Sequence, residues 1–292
     1  MTQAGAEGPD NRKAGAPLRI GMLTPSSNTV LEPYTAEILR PFGAEASVHF
    51  GRFRVTEISM SQGSQAQFDL APVLDAASLL ADARVDVIAW NGTSSAWLGL
   101  ERDVELCREI EAATGIAATT TMLAYDRLFR AAGVTRIALV TPYLGEVQER
   151  IVANYARQGI TVVAERHLED RGNFSFCEYT PEAIADCVRD VAAARPQMIA
   201  IVCTNFRGAP VVAALERECG IPIIDSVAIT AFATARLVGL DTARITGWGR
   251  LFPEFSQMTD LRPTQAFATG VPSASGPDTS PAGQPASTES AT

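Results

Sequence analysis

Arg19-Ile-Gly-Met-Leu-Thr-Pro25 returns later in the chain as Arg136-Ile-Ala-Leu-Val-Thr-Pro142. Val87-Ile-Ala-Trp-Asn-Gly-Thr93 returns as Met198-Ile-Ala-Ile-Val-Cys-Thr204, and Gly115-Ile-Ala-Ala-Thr-Thr-Thr121 as Gly220-Ile-Pro-Ile-Ile-Asp-Ser226. Three matches in the same order indicate an internal duplication. Around them, short β-branched runs alternate with longer amphipathic segments. Strands are predicted over 18–23, 46–55, 86–90, 117–120, 136–140, 161–164, 198–202 and 222–224, with helices between them, among them 70–83, 101–113, 147–158, 183–194 and 209–218. Runs such as Ile-Ala-Leu-Val and Met-Ile-Ala-Ile-Val are apolar on both faces, as parallel strands covered by helices require. The expected fold is α/β, with two pseudo-symmetric, doubly wound parallel-sheet lobes and the active site in the cleft between them.

The expected boundaries are a first lobe over 17–121, completed by 226–240, a second lobe over 122–225 and a C-terminal extension over 241–263. Residues 1–16 lack periodicity, and 264–292 are rich in Pro, Ser, Thr, Gly and Ala. Both are expected to be disordered.

The chain has 292 residues, of which 47% are hydrophobic, enough for a sizeable core and too apolar for a disordered or fibrous class. Its net charge of −9, with no basic run to offset it, argues against nucleic acid as a partner. No apolar stretch reaches the roughly 18–20 residues of a membrane span. The start carries no apolar signal region, and the five cysteines form no CxxC pair. Reduced thiols in a cytoplasmic protein are the expected state. No GxGxxG or GxxxxGK[ST] motif supports nucleotide binding.

Each repeated strand ends in small hydroxyl or amide residues: Thr24-Pro-Ser-Ser-Asn28 and Asn91-Gly-Thr-Ser-Ser95 in the first copy, Thr141-Pro-Tyr143 and Cys203-Thr-Asn205 in the second. Singly, such residues cap helices. Four such turns converging on one cleft would make a neutral cradle for an anion. Cys203 ends an apolar strand at the lip of this cleft, and its counterpart in the first copy is Gly92. A thiol there can deliver or remove a proton, or lie inert in the core. Cys107, Cys187 and Cys219 fall in helical patterns, Cys177 follows a loop, and His49 and His167 fit structural or exposed positions better than catalytic ones.

The series Ile20-Gly-Met-Leu-Thr-Pro-Ser-Ser-Asn28, Ala138-Leu-Val-Thr-Pro-Tyr143, Gly172-Asn173 and Val202-Cys-Thr204 resembles the aspartate/glutamate racemase superfamily. Within it, the residues look like the branch holding maleate cis-trans isomerases and arylmalonate decarboxylases, and the likeness covers about residues 17–238. The resemblance implies two α/β lobes, a small dicarboxylate substrate, no cofactor and no metal. It also implies a homo-oligomer, since members are often dimeric or larger. Asn28, Tyr143, Asn173 and Cys203 match positions that the isomerases use for carboxylate binding and for their second catalytic cysteine. The first catalytic cysteine of those isomerases is replaced here by Gly92, and Gly92-Thr93-Ser94 looks like the decarboxylase pattern. The resemblance therefore implies catalytic roles for Cys203, Tyr143, Thr93 and Ser94, and substrate binding by Ser26, Ser27, Asn28, Gly92, Asn173 and Thr204.

The leading expectation is a cofactor-independent lyase that decarboxylates a malonate-type diacid through an enediolate protonated by one cysteine. A maleate isomerase-like enzyme and a non-catalytic carboxylate-binding protein are the alternatives. Phe174, Phe176, Trp248, Phe252 and Phe255 are candidates for pocket walls, cleft cover or subunit interface.

Overall fold

The computed structural model describes residues 16–258. The expectations of disorder at 1–16 and 264–292 lie outside the described residues, Ala16 excepted. Strands β1 (Leu18–Pro25), β2 (Ala46–Phe53), β3 (Val87–Trp90) and β4 (Ala118–Thr120) form one sheet in the order β2-β1-β3-β4. Strands β5 (Arg136–Thr141), β6 (Thr161–His167), β7 (Met198–Ile201) and β8 (Ile223–Asp225) form a second in the matching order β6-β5-β7-β8. All pairings are parallel, with Ile20 opposite Val87 in one sheet and Ile137 opposite Met198 in the other. The duplication is thus one of topology as well as of sequence. β3 and β7 are buried along their whole length, which accounts for their unbroken apolar runs.

The first sheet is flanked by helices α1 (Leu31–Leu39), α2 (Gln62–Ala66), α3 (Leu70–Asp82), α4 (Ser95–Leu98), α5 (Leu100–Thr114) and α6 (Thr121–Ala131). Helices α7 (Gly145–Arg157), α8 (Pro181–Ala192), α9 (Val212–Cys219), α10 (Ser226–Leu237) and α11 (Leu251–Glu254) follow. Sequence and local structure agree closely in these elements. On α3 the buried side chains are Val73, Ala76, Ala77 and Leu80, one helical stripe. α8 starts with the Thr180 hydroxyl accepting from the Ala183 N–H and with Pro181 in its first turn. The repeated Gly-Ile pair has a backbone cause. Gly115 and Gly220 end α5 and α9 at φ 70° and 72°, left-handed values suited to glycine, and turn the chain into the last strand of each sheet.

The helices after those last strands lie between the two sheets. α10 follows and touches β8 but also packs on α1, α6, β3 and β4. α6 follows β4, yet its Tyr125 hydroxyl reaches the carbonyls of Ile201 (3.0 Å) and Ile224 (2.9 Å) at the ends of β7 and β8. The Thr121 and Thr230 hydroxyls join the two helices at 2.7 Å. This arrangement sets the carboxyl ends of the two sheets on one shared rim. The segment after α10 packs back onto it, with Phe252 fully buried and its ring 6.1 Å from that of Phe232. Trp248 lies 6.2 Å from Tyr34 of α1.

Candidate active site

In the strand order 2-1-3-4, the connections after β1 and β3 leave on opposite sides of the sheet. Their carboxyl ends form the crevice where α/β sheets take ligands. The second sheet repeats this after β5 and β7. The four turns singled out from the sequence lie at these four strand ends, and the buried polar residues of the chain include Asn28, Thr93, Ser94, Asn173, Thr204 and Asn205.

Cys203 is the second residue past β7 and is 3% exposed. Its N–H donates to Ser226 Oγ (3.1 Å), which donates in turn to the Ile201 carbonyl (2.9 Å), so the backbone at the thiol is fixed from both sides. Burial pushes the thiol up to about 12, while the Asn205 N–H and the Tyr143 hydroxyl pull it partly back. A thiol so raised is held as S–H at neutral pH. Tyr143 is 2% exposed, and burial first and Cys203 second hold its phenol well above the usual tyrosine range. Its hydroxyl lies 2.7 Å from Thr93 Oγ1, joining the first-sheet turn to the second. The ring is wedged between Trp97 (5.3 Å) and the buried Phe176 (5.6 Å). Ser94 Oγ accepts from Trp90 Nε1 at 3.4 Å, which leaves its own proton to donate. Thr93, Ser94, Tyr143 and Cys203 thus offer hydroxyl and thiol protons on one rim.

The amide residues bind the two lobes together around it. Asn28 Oδ1 accepts from the N–H groups of Val30 (2.9 Å) and Leu31 (3.0 Å) ahead of α1, and its Nδ2 donates to Thr204 Oγ1 (3.2 Å). The capping role and the cross-lobe role coexist in one side chain. Asn173 Nδ2 donates to Ser27 Oγ (2.8 Å), and Ser27 donates to the Val55 carbonyl (2.8 Å). Ser26 is placed apart from the others. It is exposed, and its hydroxyl engages only the Val55 backbone, accepting from the N–H at 3.1 Å. The loop over 56–65 meets the loop over 166–179 through an antiparallel bridge between Glu57 and Gly172. Phe174 is 54% exposed beside this junction, whereas Phe176 is core.

Asn205, which the sequence places in the Cys203-Thr-Asn205 turn, accepts from the Thr29 N–H (3.0 Å) and donates to the Asn173 carbonyl (2.6 Å), tying three loops together. Sequence patterns did not single out other residues that shape this rim. Arg52 donates to the carbonyls of Ser26 and Asn28, both at 3.0 Å, and pairs with Glu32. The buried carboxyls include Asp225 and Asp103. Burial pushes Asp225 up to about 7 although its Oδ1 accepts from the Val227 and Ala228 N–H groups, and its buried Oδ2 has no partner. Burial likewise pushes Asp103, which accepts from Thr120 Oγ1, up to about 7. Asp103 had a legible signal, since it shares the apolar stripe of α5 with Leu100, Cys107 and Ile110. Cys107, Cys177 and Cys187 are buried, Cys219 is half-buried, and all four are free thiols, as is Cys203. His49 is bonded to Ser47, and His167 lies between Glu165 and Glu169. Among the described residues no group of three His, Cys, Asp or Glu could hold a metal ion, and no helix is long and apolar enough to cross a membrane.

Two like lobes with buried donors at facing strand ends define a two-lobed α/β enzyme with its site on the shared rim. Comparison with known proteins gives the family. The arylmalonate decarboxylase family profile matches residues 41–252, and the chain belongs to that family. It is 30% identical to the maleate isomerase of Nocardia farcinica over 251 residues, 82% of this chain and 98% of the relative. It is also 30% identical to the arylmalonate decarboxylase of Bordetella bronchiseptica over 185 residues, 62% of this chain and 77% of the relative. A solved structure of a Nocardia farcinica maleate cis-trans isomerase mutant with a covalently bound succinylcysteine intermediate superposes with a TM-score of 0.75 at 25% identity, covering 81% of this chain and 98% of that one. The chain is an enzyme of the branch that holds both activities, within the aspartate/glutamate racemase superfamily.

Proposed function

We propose that the chain is a cofactor-independent lyase that removes CO₂ from a small malonate-type dicarboxylate. The observation that carries this reading is that only one of the two matching strand-end positions bears a reacting side chain. Cys203 stands in the second lobe, and its first-lobe counterpart is Gly92. Two-base racemisation needs a group on each face of the substrate, and nucleophilic addition needs a thiolate. A single thiol pushed up to about 12 by burial supplies neither.

A decarboxylation asks less of the site. The bond from the central carbon to one carboxylate breaks, CO₂ leaves, and the electron pair passes into an enediolate. Thr93, Ser94 and Tyr143 donate hydrogen bonds to its oxygens, each such donor contributing about 3–4 kcal/mol in comparable sites. Cys203 then gives its S–H proton to the central carbon, and the buried thiolate recovers a proton from water. Before the bond breaks, Asn28, Asn173, Ser27 and Thr204 help to seat the two carboxylates of the diacid. Since the global charge of −9 repels a dianion, recognition rests on these local donors. Delivery from one thiol predicts a single product enantiomer.

The second reading, maleate isomerisation, is favoured by the wider span of the match to the Nocardia farcinica isomerase. NMR of the protein in D₂O, with methylmalonate and maleate supplied separately, distinguishes the two. Loss of CO₂ with deuterium entering one face supports the lyase. Fumarate formed from maleate without CO₂ overturns it.

A further inference from the structure

The indole of Trp90 stands where a side chain at position 92 would be. A Cβ on Gly92 would lie 2.1 Å from Cζ2, 2.4 Å from Cε2 and 2.5 Å from Cη2 of the ring, far inside van der Waals contact. Trp90 is the last residue of β3, two positions before Gly92, so the two residues face the same side of the strand path. Phe53 packs on the indole at 4.9 Å, Phe68 lies at 6.5 Å, and Nε1 donates to Ser94 Oγ, so the ring is held on several sides. The duplication sharpens the contrast. The second-lobe counterpart of Trp90 is Ile201, which is fully buried in its sheet and leaves the position of Cys203 to a thiol. The first lobe instead presents a broad ring folded over a glycine.

Beside that ring lies a cavity of about 260 Å³ walled on one side by Phe53, Phe68 and Leu98 and on its charged side by Asp69, Arg102, Asp103 and Glu105. Trp90 and Ser94 also line it, so the cavity reaches the end of the Gly92-Thr93-Ser94 turn beside the indole. A void of roughly 150 Å³ lined by apolar side chains suffices to hold benzene. This cavity is large enough for an aromatic group against its Phe53, Phe68 and Leu98 side, and Trp90 both lines it and fills the space over Gly92.

We propose that Trp90 is the specificity-determining residue of the site: it restricts the native chain to diacids with a small group on the central carbon, and shortening it opens the neighbouring cavity to an aryl group. The inference rests on the diacid reading above, and its test is built to fail separately. Binding of malonate and of 2-naphthylmalonate is measured by calorimetry in a Cys203→Ser background, which stops turnover. Trp90→Ala is expected to tighten 2-naphthylmalonate by roughly 10- to 100-fold, the range for an apolar group gaining a pocket. Malonate itself is expected to change by less than about threefold. Trp90→Phe serves as a second variant should the alanine variant not fold, with a smaller gain in the same direction. Unchanged or weaker 2-naphthylmalonate binding while malonate still binds overturns the assignment of Trp90 alone. Binding of neither diacid to any variant overturns the substrate reading, and the proposal with it.

A second measurement reads the contact without any ligand. Gly92→Ala should lower the urea midpoint clearly beside Trp90 and at most half as much beside Ala at position 90. Equal losses in the two backgrounds overturn the steric basis of the proposal.

Discussion

Between pH 8 and pH 10 the rate of decarboxylation per enzyme, expressed as kcat/KM, is expected to be flat. The argument starts from Cys203, whose thiol is pushed up to about 12 by burial. At that value only about one thiol in ten thousand is ionised at pH 8, and about one in a hundred at pH 10. If the S–H form is the working acid, its population barely changes across the window. If the thiolate were the working form, the rate would climb with its population, about tenfold per pH unit and a hundredfold overall. The window lies above the region near pH 7 where Asp103 and Asp225 titrate, so their charge stays constant within it. CO₂ release from methylmalonate, followed by ¹³C NMR at half-unit steps, measures the profile, with Cys203→Ser as control. The serine variant is expected to lose about 10²- to 10⁴-fold, the usual contribution of a positioned acid. A log-linear rise that disappears with Cys203→Ser would refute the acid role and return the thiol to nucleophilic chemistry.

Tyr143→Phe removes one oxyanion donor and leaves Thr93 Oγ1 without its 2.7 Å partner. Its kcat should fall by about 10²- to 10³-fold, and urea unfolding should show a loss of about 1–3 kcal/mol. Asn28→Asp keeps the oxygen that accepts from Val30 and Leu31 but loses the Nδ2 donor to Thr204 and adds a negative charge at the cradle. It should raise KM by at least about tenfold with little change in Tm, and an equal loss of Tm would count against a binding role. Asp225, raised from 3.8 to about 7 in the fold, retains its proton where the unfolded chain has lost one. Stability from this group is therefore greatest below about pH 4, falls as pH rises through the interval and is flat above about 7. Asp225→Asn should gain stability relative to the native chain on going from pH 5 to pH 8, as read by urea midpoints at the two values.

The sheets were legible because their strands are short, β-branched and apolar on both faces, and all eight predicted strands are present. α10 was harder to see because ten of its twelve residues are buried, which erases the apolar stripe that marks a surface helix. At the site, the strand-end turns were visible because duplication marks them. The relation of Trp90 to Gly92 was not, because spacing gives the shared face but not the direction in which an indole folds. Asn205 and Arg52 act through long-range contacts to backbone carbonyls and N–H groups, which no spacing rule records.

The helices between the sheets also decide how this molecule can come apart. The second half carries α10, which covers part of the first sheet, and the first half carries Tyr125, which reaches the ends of β7 and β8, so a break near Gly133 would uncover part of the first sheet and strand the apolar α10. Neither fragment retains the burial that offsets its own chain entropy. The two sheets should consequently melt in one cooperative transition. The fragments should regain structure, and the reactive rim with it, only when mixed, so this enzyme assembles its chemistry and its stability in the same step.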